Sequence, residues 1–130
     1  MIQFHLDPRS GVSTYLQLVH QVRHAVRLGM LRPGDQLPTV KEAVASLAIN
    51  PNTVLKAYRE LEREGVTEAR RGQGTFISTN QPAAVAADYT ALRAALVKWV
   101  ERARKAGLDE EGIDALISAT LHAVFFEEAA

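Results

Sequence analysis

A chain of 130 residues, 47% apolar, 23% charged and without cysteine, can bury the core of one domain or of a small domain with an appendage. The missing cysteines exclude a disulfide framework, thiolate metal sites and cysteine nucleophiles, and no apolar run approaches the ~18 residues of a membrane span. Fifteen Lys/Arg balance fifteen Asp/Glu, but residues 1–80 hold ten cations and seven acids while residues 81–130 hold five and eight, a pattern of basic working module and acidic partner module.

The opening "MIQFHLDPRSG" lacks the basic start and apolar core of a signal peptide, so a cytoplasmic protein is expected. A first helix is predicted to start with the capping box Thr14-x-x-Gln17 and to bury Tyr15, Leu18, Val19, Val22 and Val26 along one stripe. Gly29 and the turn "RPGD" end it. A second capping box, Thr39-x-x-Glu42, opens a short helix with Val40, Ala43, Val44 and Leu47 turned inward. Asn50 as N-cap and Pro51 at the first helical position open a third helix that stops at Gly65. Two helices joined by so short a turn form a helix-turn-helix.

Two short strands, 66–70 and 75–78, follow around a tip containing Gly72 and Gly74, which makes the hairpin a wing. The stretch 79–88, "TNQPAAVAAD", reads as a linker or a loosely started helix. Two more helices complete the chain. Leu92, Leu96, Trp99, Val100 and Ala103 line the first, which closes near Gly107. Asp109 caps the second, whose apolar face holds Ile113, Leu116, Ile117, Thr120, Leu121, Val124 and Phe125. These capped helices read as a finished arm and not as the stub of a larger domain. The fold class is therefore α+β: a winged helix-turn-helix over residues 1–79, then a linker and two-helix arm over 80–130.

Polar groups crowd the first turn of the third helix. Asn52, Thr53, Lys56 and Arg59 lie away from Val54, Tyr58 and Leu61, and a solvated helix face needs no such selection. Helices that enter the major groove use their N-terminal residues on base edges; Asn can pair with adenine, and Thr can bond a base or touch a thymine methyl. Asn52 and Thr53 are thus expected to read bases, and Lys56 and Arg59 to hold phosphates. Tyr58 is read as a core ring with an exposed hydroxyl. In the wing, Arg70 and Arg71 precede the unbulky Gly72-Gln73-Gly74, an arrangement suited to phosphates or a narrow minor groove.

The string "GMLRPGDQLPTVKEAVASLAINPNTVLKAYRELEREGVTEARRGQGTF" resembles the DNA-binding domain of GntR-family bacterial transcription regulators, and its "NPNTV…KAY" form with a short tail resembles the YtrA-type branch. The resemblance spans residues 16–77 and implies a winged helix-turn-helix regulator whose tail is a dimerisation arm. It adds Lys41, which stands where the family usually has a DNA-contacting arginine, and it includes Asn50, Gly72 and Gln73 in the DNA-contacting set. Thr67 replaces the usual apolar residue of the first wing strand. "EAVASLA" replaces the usual "ELAAELG", which reads as a conservative shift of core residues.

A lone two-helix hairpin cannot bury both its faces. Leu92, Leu96, Trp99, Ile113, Leu116, Leu121 and Phe125 are expected to pack against a second copy, because one helix-turn-helix reads too few base pairs. The expected partners are a double-stranded operator, a homodimer mate and, if the protein has one, a small-molecule effector between subunits or at the seam of arm and wing domain. No cofactor is expected. His20 and His24, four apart, have no acid at metal-site spacing and read as surface residues. No nucleophile–base pair or carboxylate pair suggests an enzyme. The expected function is a sequence-specific transcription regulator, a repressor acting by occupancy. The rival reading, a winged helix used for protein–protein contact without DNA, would need a more apolar third helix.

Overall fold

The first helix, α1 (Thr14–Arg27), buries Leu18, Val19 and Val22 completely and Ala25 almost so, the i, i+1, i+4, i+7 pattern of one helical face. The computed structural model describes residues 2–80 and 89–127; the predicted linker or loose helix at 79–88 lies mostly outside them. The chain divides into two units, Met1–Ala87 and Asp88–Ala130, each with its own packing.

The capping box expected at the start of α1 does not form. Thr14 is already the first helical residue, and Ser13 at the cap position makes no side-chain cap bond. Gln17 instead works on the preceding segment. Its Nε2 donates to the carbonyls of Asp7 (3.1 Å) and Val12 (2.9 Å), and its Oε1 accepts from the Asp7 N–H at 2.9 Å. One turn on, Gln21 does the same with His5. Phe4 is thereby buried, with Ile2 and Leu6 packed beside it on the core. The helix ends at Gly29, whose φ of 73° suits a residue without Cβ.

Helix α2 (Val40–Leu47) opens with the predicted capping box: Thr39 accepts from the Glu42 N–H at 3.0 Å, and Glu42 accepts from the Thr39 N–H at 3.1 Å. It ends on Ala48 in the left-handed region, φ 54°. That conformation costs an L-residue about 1–2 kcal/mol. Ala48 is exposed, so at this end of the stretch the departure from the family string is a strained cap, while Ala43, Val44 and Leu47 face the core as expected.

Helix α3 (Pro51–Arg63) starts as read: the Asn50 side chain accepts from the Asn52 N–H at 2.8 Å, with Pro51 behind it. It buries Val54, Ala57, Tyr58 and Leu61 against α1 and α2. Each large aliphatic side chain here stabilises the unit by roughly 1.5–3 kcal/mol. The Tyr58 ring is in the core, but its hydroxyl is not exposed: it donates to the Pro38 carbonyl at 2.6 Å. The bond ties α3 to the entrance of α2. Burial, reinforced by the Glu42 charge, pushes the phenol well above its ordinary pKa.

Strands β1 (Thr67–Arg70) and β2 (Gly74–Ile77) pair antiparallel, Thr67 opposite Ile77 and Arg70 opposite Gly74. The turn after α1, expected only to end that helix, lies along β2 as a third edge. Gly34 and Leu37 donate to Ile77 and Thr75, and Ile77 donates to Asp35, with Gln36 bridged to Phe76. Thr67 is only 3% exposed, and its hydroxyl has no hydrogen-bond partner among the described residues.

In the second unit α4 (Thr90–Lys105) and α5 (Glu110–His122) pack on each other across a turn at 106–109. Asp109 caps α5 as predicted, accepting from the Gly112 N–H at 2.8 Å. Past His122 the chain widens into a π-helical turn, Ala123–Glu127, which takes Val124 and Phe125 off the regular helical stripe expected for them. Among the described residues of this unit only Ala103 is buried.

Candidate nucleic-acid interface

The geometry of α3 separates its two faces cleanly. With Val54, Ala57, Tyr58 and Leu61 buried, Asn52, Lys56 and Arg59 are exposed and Thr53 is half-buried at the margin. Asn50 is exposed too, but its side-chain oxygen already holds the Asn52 N–H.

Lys56 is not a free-swinging cation. Its Nζ sits 4.0 Å from the centre of the Tyr15 ring of α1, an attraction of about 0.5–1 kcal/mol at an exposed site. Arg59 is exposed and, among the described residues, has no ion pair. Further along α3, Arg63 pairs with Glu60, lowering the Glu60 carboxyl and raising the Arg63 guanidinium through their shared hydrogen bond. Arg23 reaches Glu64 at 2.6 Å. Lys41 occupies the first turn of α2 and is exposed. A cation there faces the positive end of the helix dipole and weakens the helix, so helix stability does not explain it.

The two wing arginines, alike in sequence, differ in the structure. Arg70 is held on its own strand face, 3.0 Å from Glu68 and with its guanidinium 4.1 Å above the Phe76 ring. Arg71 is exposed and makes no ion pair among the described residues. The tip turns through Gly72 at φ 74°, closed by the Gln73 N–H donating to the Arg70 carbonyl at 2.9 Å. Gln73 is exposed, and its carbonyl accepts from Gln36 Nε2 at 3.1 Å.

Sequence reasoning missed the residues that restrain this set: Tyr15 under Lys56, Glu68 and Phe76 on Arg70, and Gln36 at the wing tip. Glu68 and Phe76 could have been found, since hairpin register follows from the glycine tip. Tyr15 and Gln36 could not, because each meets its partner across about 40 residues of chain.

Lys41, α3 and the wing belong to the first unit. Leu92, Leu96, Trp99, Ile113, Leu116, Leu121 and Phe125 belong to the second. Leu92 is 68% exposed, Leu96 52% and Phe125 67%, Leu116 and Leu121 are also exposed, and Trp99 and Ile113 are half-buried. His20 and His24 stack at 6.1 Å, and no group of three metal-ligating side chains occurs among the described residues. An open depression of about 200 Å³ lies along His5, Asp7, His20 and Gln21, but Gln21 is committed to the His5 backbone. No described helix is long and apolar enough to cross a membrane.

A family profile described as "Bacterial regulatory proteins, gntR family" matches residues 14–77. The chain is 42% identical over 112 residues to the "HTH-type transcriptional repressor YtrA" of Bacillus subtilis (strain 168), covering 85% of each chain. Its fold is similar to a solved "Transcriptional Antiterminator from Listeria monocytogenes EGD-e", with a TM-score of 0.58 and 29% identity over 92% of this chain and 90% of that one. It is also similar to "YtrA from Sulfolobus acidocaldarius, a GntR-family transcription factor", with a TM-score of 0.56 and 26% identity over 75% of this chain and 97% of the other.

Proposed function

The chain belongs to the gntR family of bacterial regulatory proteins, and from that premise we propose that it is a cytoplasmic repressor that binds a palindromic operator as a homodimer. The observation that carries the reading is the exposed face of α3. Asn52, Thr53, Lys56 and Arg59 face outward from a helix whose opposite side is locked into the core by Val54, Tyr58 and Leu61. A rigid helix with amides and hydroxyls in its first turn and cations further on suits major-groove entry. Asn52 and Thr53 read base edges, while Lys56, Arg59 and Lys41 bind phosphates. Arg71, which makes no ion pair among the described residues, is the wing's principal contact, and Gly72 and Gln73 let the backbone approach the duplex. Arg70, already paired with Glu68, contributes less.

The exposed leucines and Phe125 of the second unit form the contact with a second copy. A contiguous apolar surface of this kind on a small unit marks an association site. A two-fold dimer places two α3 helices in successive major grooves, which explains why one small domain suffices for operator recognition. Occupancy of a promoter by such a dimer represses without an activating surface. An effector, where one acts, binds between subunits, since two slender arm helices leave little room for the ~300 Å³ that a small-ligand pocket needs.

The direct test is selection of bound duplexes from a random library with the full chain. A two-fold symmetric motif, weakened when Arg71 and Arg59 are changed to Ala, supports the reading. No enrichment at low salt overturns it in favour of a protein-binding winged helix.

A further inference from the structure

We propose that Gln36, a residue of the turn between α1 and α2, is the positioning residue that sets the height and angle of the wing tip, so that Arg71 meets the DNA backbone. The inference rests on the DNA-binding reading above. Two contacts converge on this residue. Its backbone bridges to Phe76 in β2, where the flanking Leu37 donates to Thr75 at 2.9 Å and Ile77 donates to Asp35 at 2.7 Å. Its side-chain amide reaches past β2 and donates to the carbonyl of Gln73, at the tip itself, at 3.1 Å.

Gly74 leaves room for the second of these contacts. A Cβ on Gly74 would lie 2.8 Å from Gln36 Nε2, closer than a Cβ approaches a non-bonded atom, and Gly74 holds φ 125°. The glycine clears the path along which the amide reaches the tip. A hairpin of two four-residue strands is marginal by itself, and its three-residue tip has no other side-chain tether among the described residues. Gln36 supplies that tether while remaining exposed and outside the apolar core.

Arg71 gains from this because a cation on a mobile tip must lose conformational freedom on binding, whereas one on a fixed tip does not. Gln36 acts through the tip and needs no contact with DNA of its own.

The test uses the full chain with the duplex recovered by selection, and compares Gln36→Leu, Gln36→Asn, Arg71→Ala and the double variant Gln36→Leu/Arg71→Ala. Leucine keeps the bulk and removes the donor; asparagine keeps the donor and shortens the reach. Both are expected to leave the thermal midpoint unchanged, to weaken binding by roughly 3- to 10-fold, and to lower the slope of log K against log salt by up to ~0.9, one phosphate contact. The double variant should bind no more weakly than Arg71→Ala. If the Gln36 and Arg71 losses add, Gln36 is a separate DNA contact and the positioning role is overturned. If Arg71→Ala weakens binding while both Gln36 variants match the parent, the positioning role again fails and the DNA-binding reading stands. If Arg71→Ala itself changes nothing, the wing tip does not touch DNA and the positioning role is overturned, while recovery of the duplex by selection leaves the DNA-binding reading of α3 standing.

Discussion

Gln21 and His5 exchange two hydrogen bonds, the His5 N–H donating to Gln21 Oε1 at 3.1 Å and Gln21 Nε2 donating back to the His5 carbonyl at 2.6 Å. A side-chain amide on a helix thus satisfies one residue of extended backbone as a neighbouring strand would. Gln17, four residues earlier, repeats the pattern at Asp7, so two glutamines one turn apart dock the N-terminal segment and bury Phe4.

Gln21→Ala leaves both backbone groups of His5 to water. A net loss of about 1 kcal/mol is expected, seen as a fall of roughly 4–8 °C in the midpoint of a domain this small. Operator affinity should not change, because α3 and the wing are untouched. An unshifted midpoint would mean that the segment is not docked.

Thr67 is the opposite case, a buried hydroxyl with no partner among the described residues. Valine has nearly the same shape and no polar atom to desolvate. Thr67→Val is expected to stabilise the first unit by about 1 kcal/mol, raising the denaturant midpoint at constant slope. A destabilised variant would show that a water or an alternative rotamer satisfies the hydroxyl.

Tyr58 provides a pH signature. Its phenol stays neutral in the native state because burial raises its pKa, whereas an unfolded tyrosine ionises near ~10. Above that pH the unfolded state binds fewer protons than the native state. Stability therefore falls as pH rises past ~10, by at most ~1.4 kcal/mol per unit for this one group. Tyr58→Phe should flatten that fall. It should also lower stability at neutral pH by about 1–3 kcal/mol, since the Pro38 carbonyl loses its buried donor. An equally steep alkaline limb in the variant would assign the effect to other groups.

Leu96 and Leu121 are both more than half exposed, so changing them to Glu should cost the isolated chain little. In the proposed dimer the carboxylates would be buried without partners. Leu96→Glu/Leu121→Glu is expected to sediment as a monomer and to lose roughly 10²-fold or more in affinity for a two-half-site duplex, while single half-site binding persists. An unchanged dimer mass would place the subunit contact elsewhere.

How much of this was legible beforehand depends on the range of each interaction. The α2 capping box, the Asn50–Pro51 helix start and the Asp109 cap involve partners within a few residues, where residue type and spacing suffice, and the Val54/Tyr58/Leu61 stripe follows from helical periodicity alone. Val54, Tyr58 and Leu61 also fixed which way Asn52, Lys56 and Arg59 had to face. The Thr14-x-x-Gln17 box failed because the same four residues admit two hydrogen-bonding solutions, and a distant segment at 4–7 selected the second.

The sequence by itself determined the elements, their order, the family string and the inventory of outward polar groups, all consequences of helical and strand periodicity and of caps that bond locally. Only the tertiary structure decided which of two adjacent arginines is ion-paired, that Tyr15 lies under Lys56, that the Tyr58 hydroxyl points inward, and that Gln36 holds the wing tip. Each of these joins groups far apart in the chain or splits neighbours that look alike. Their geometry exists only once the core has packed and brought the surfaces of α1, α3 and the wing into contact.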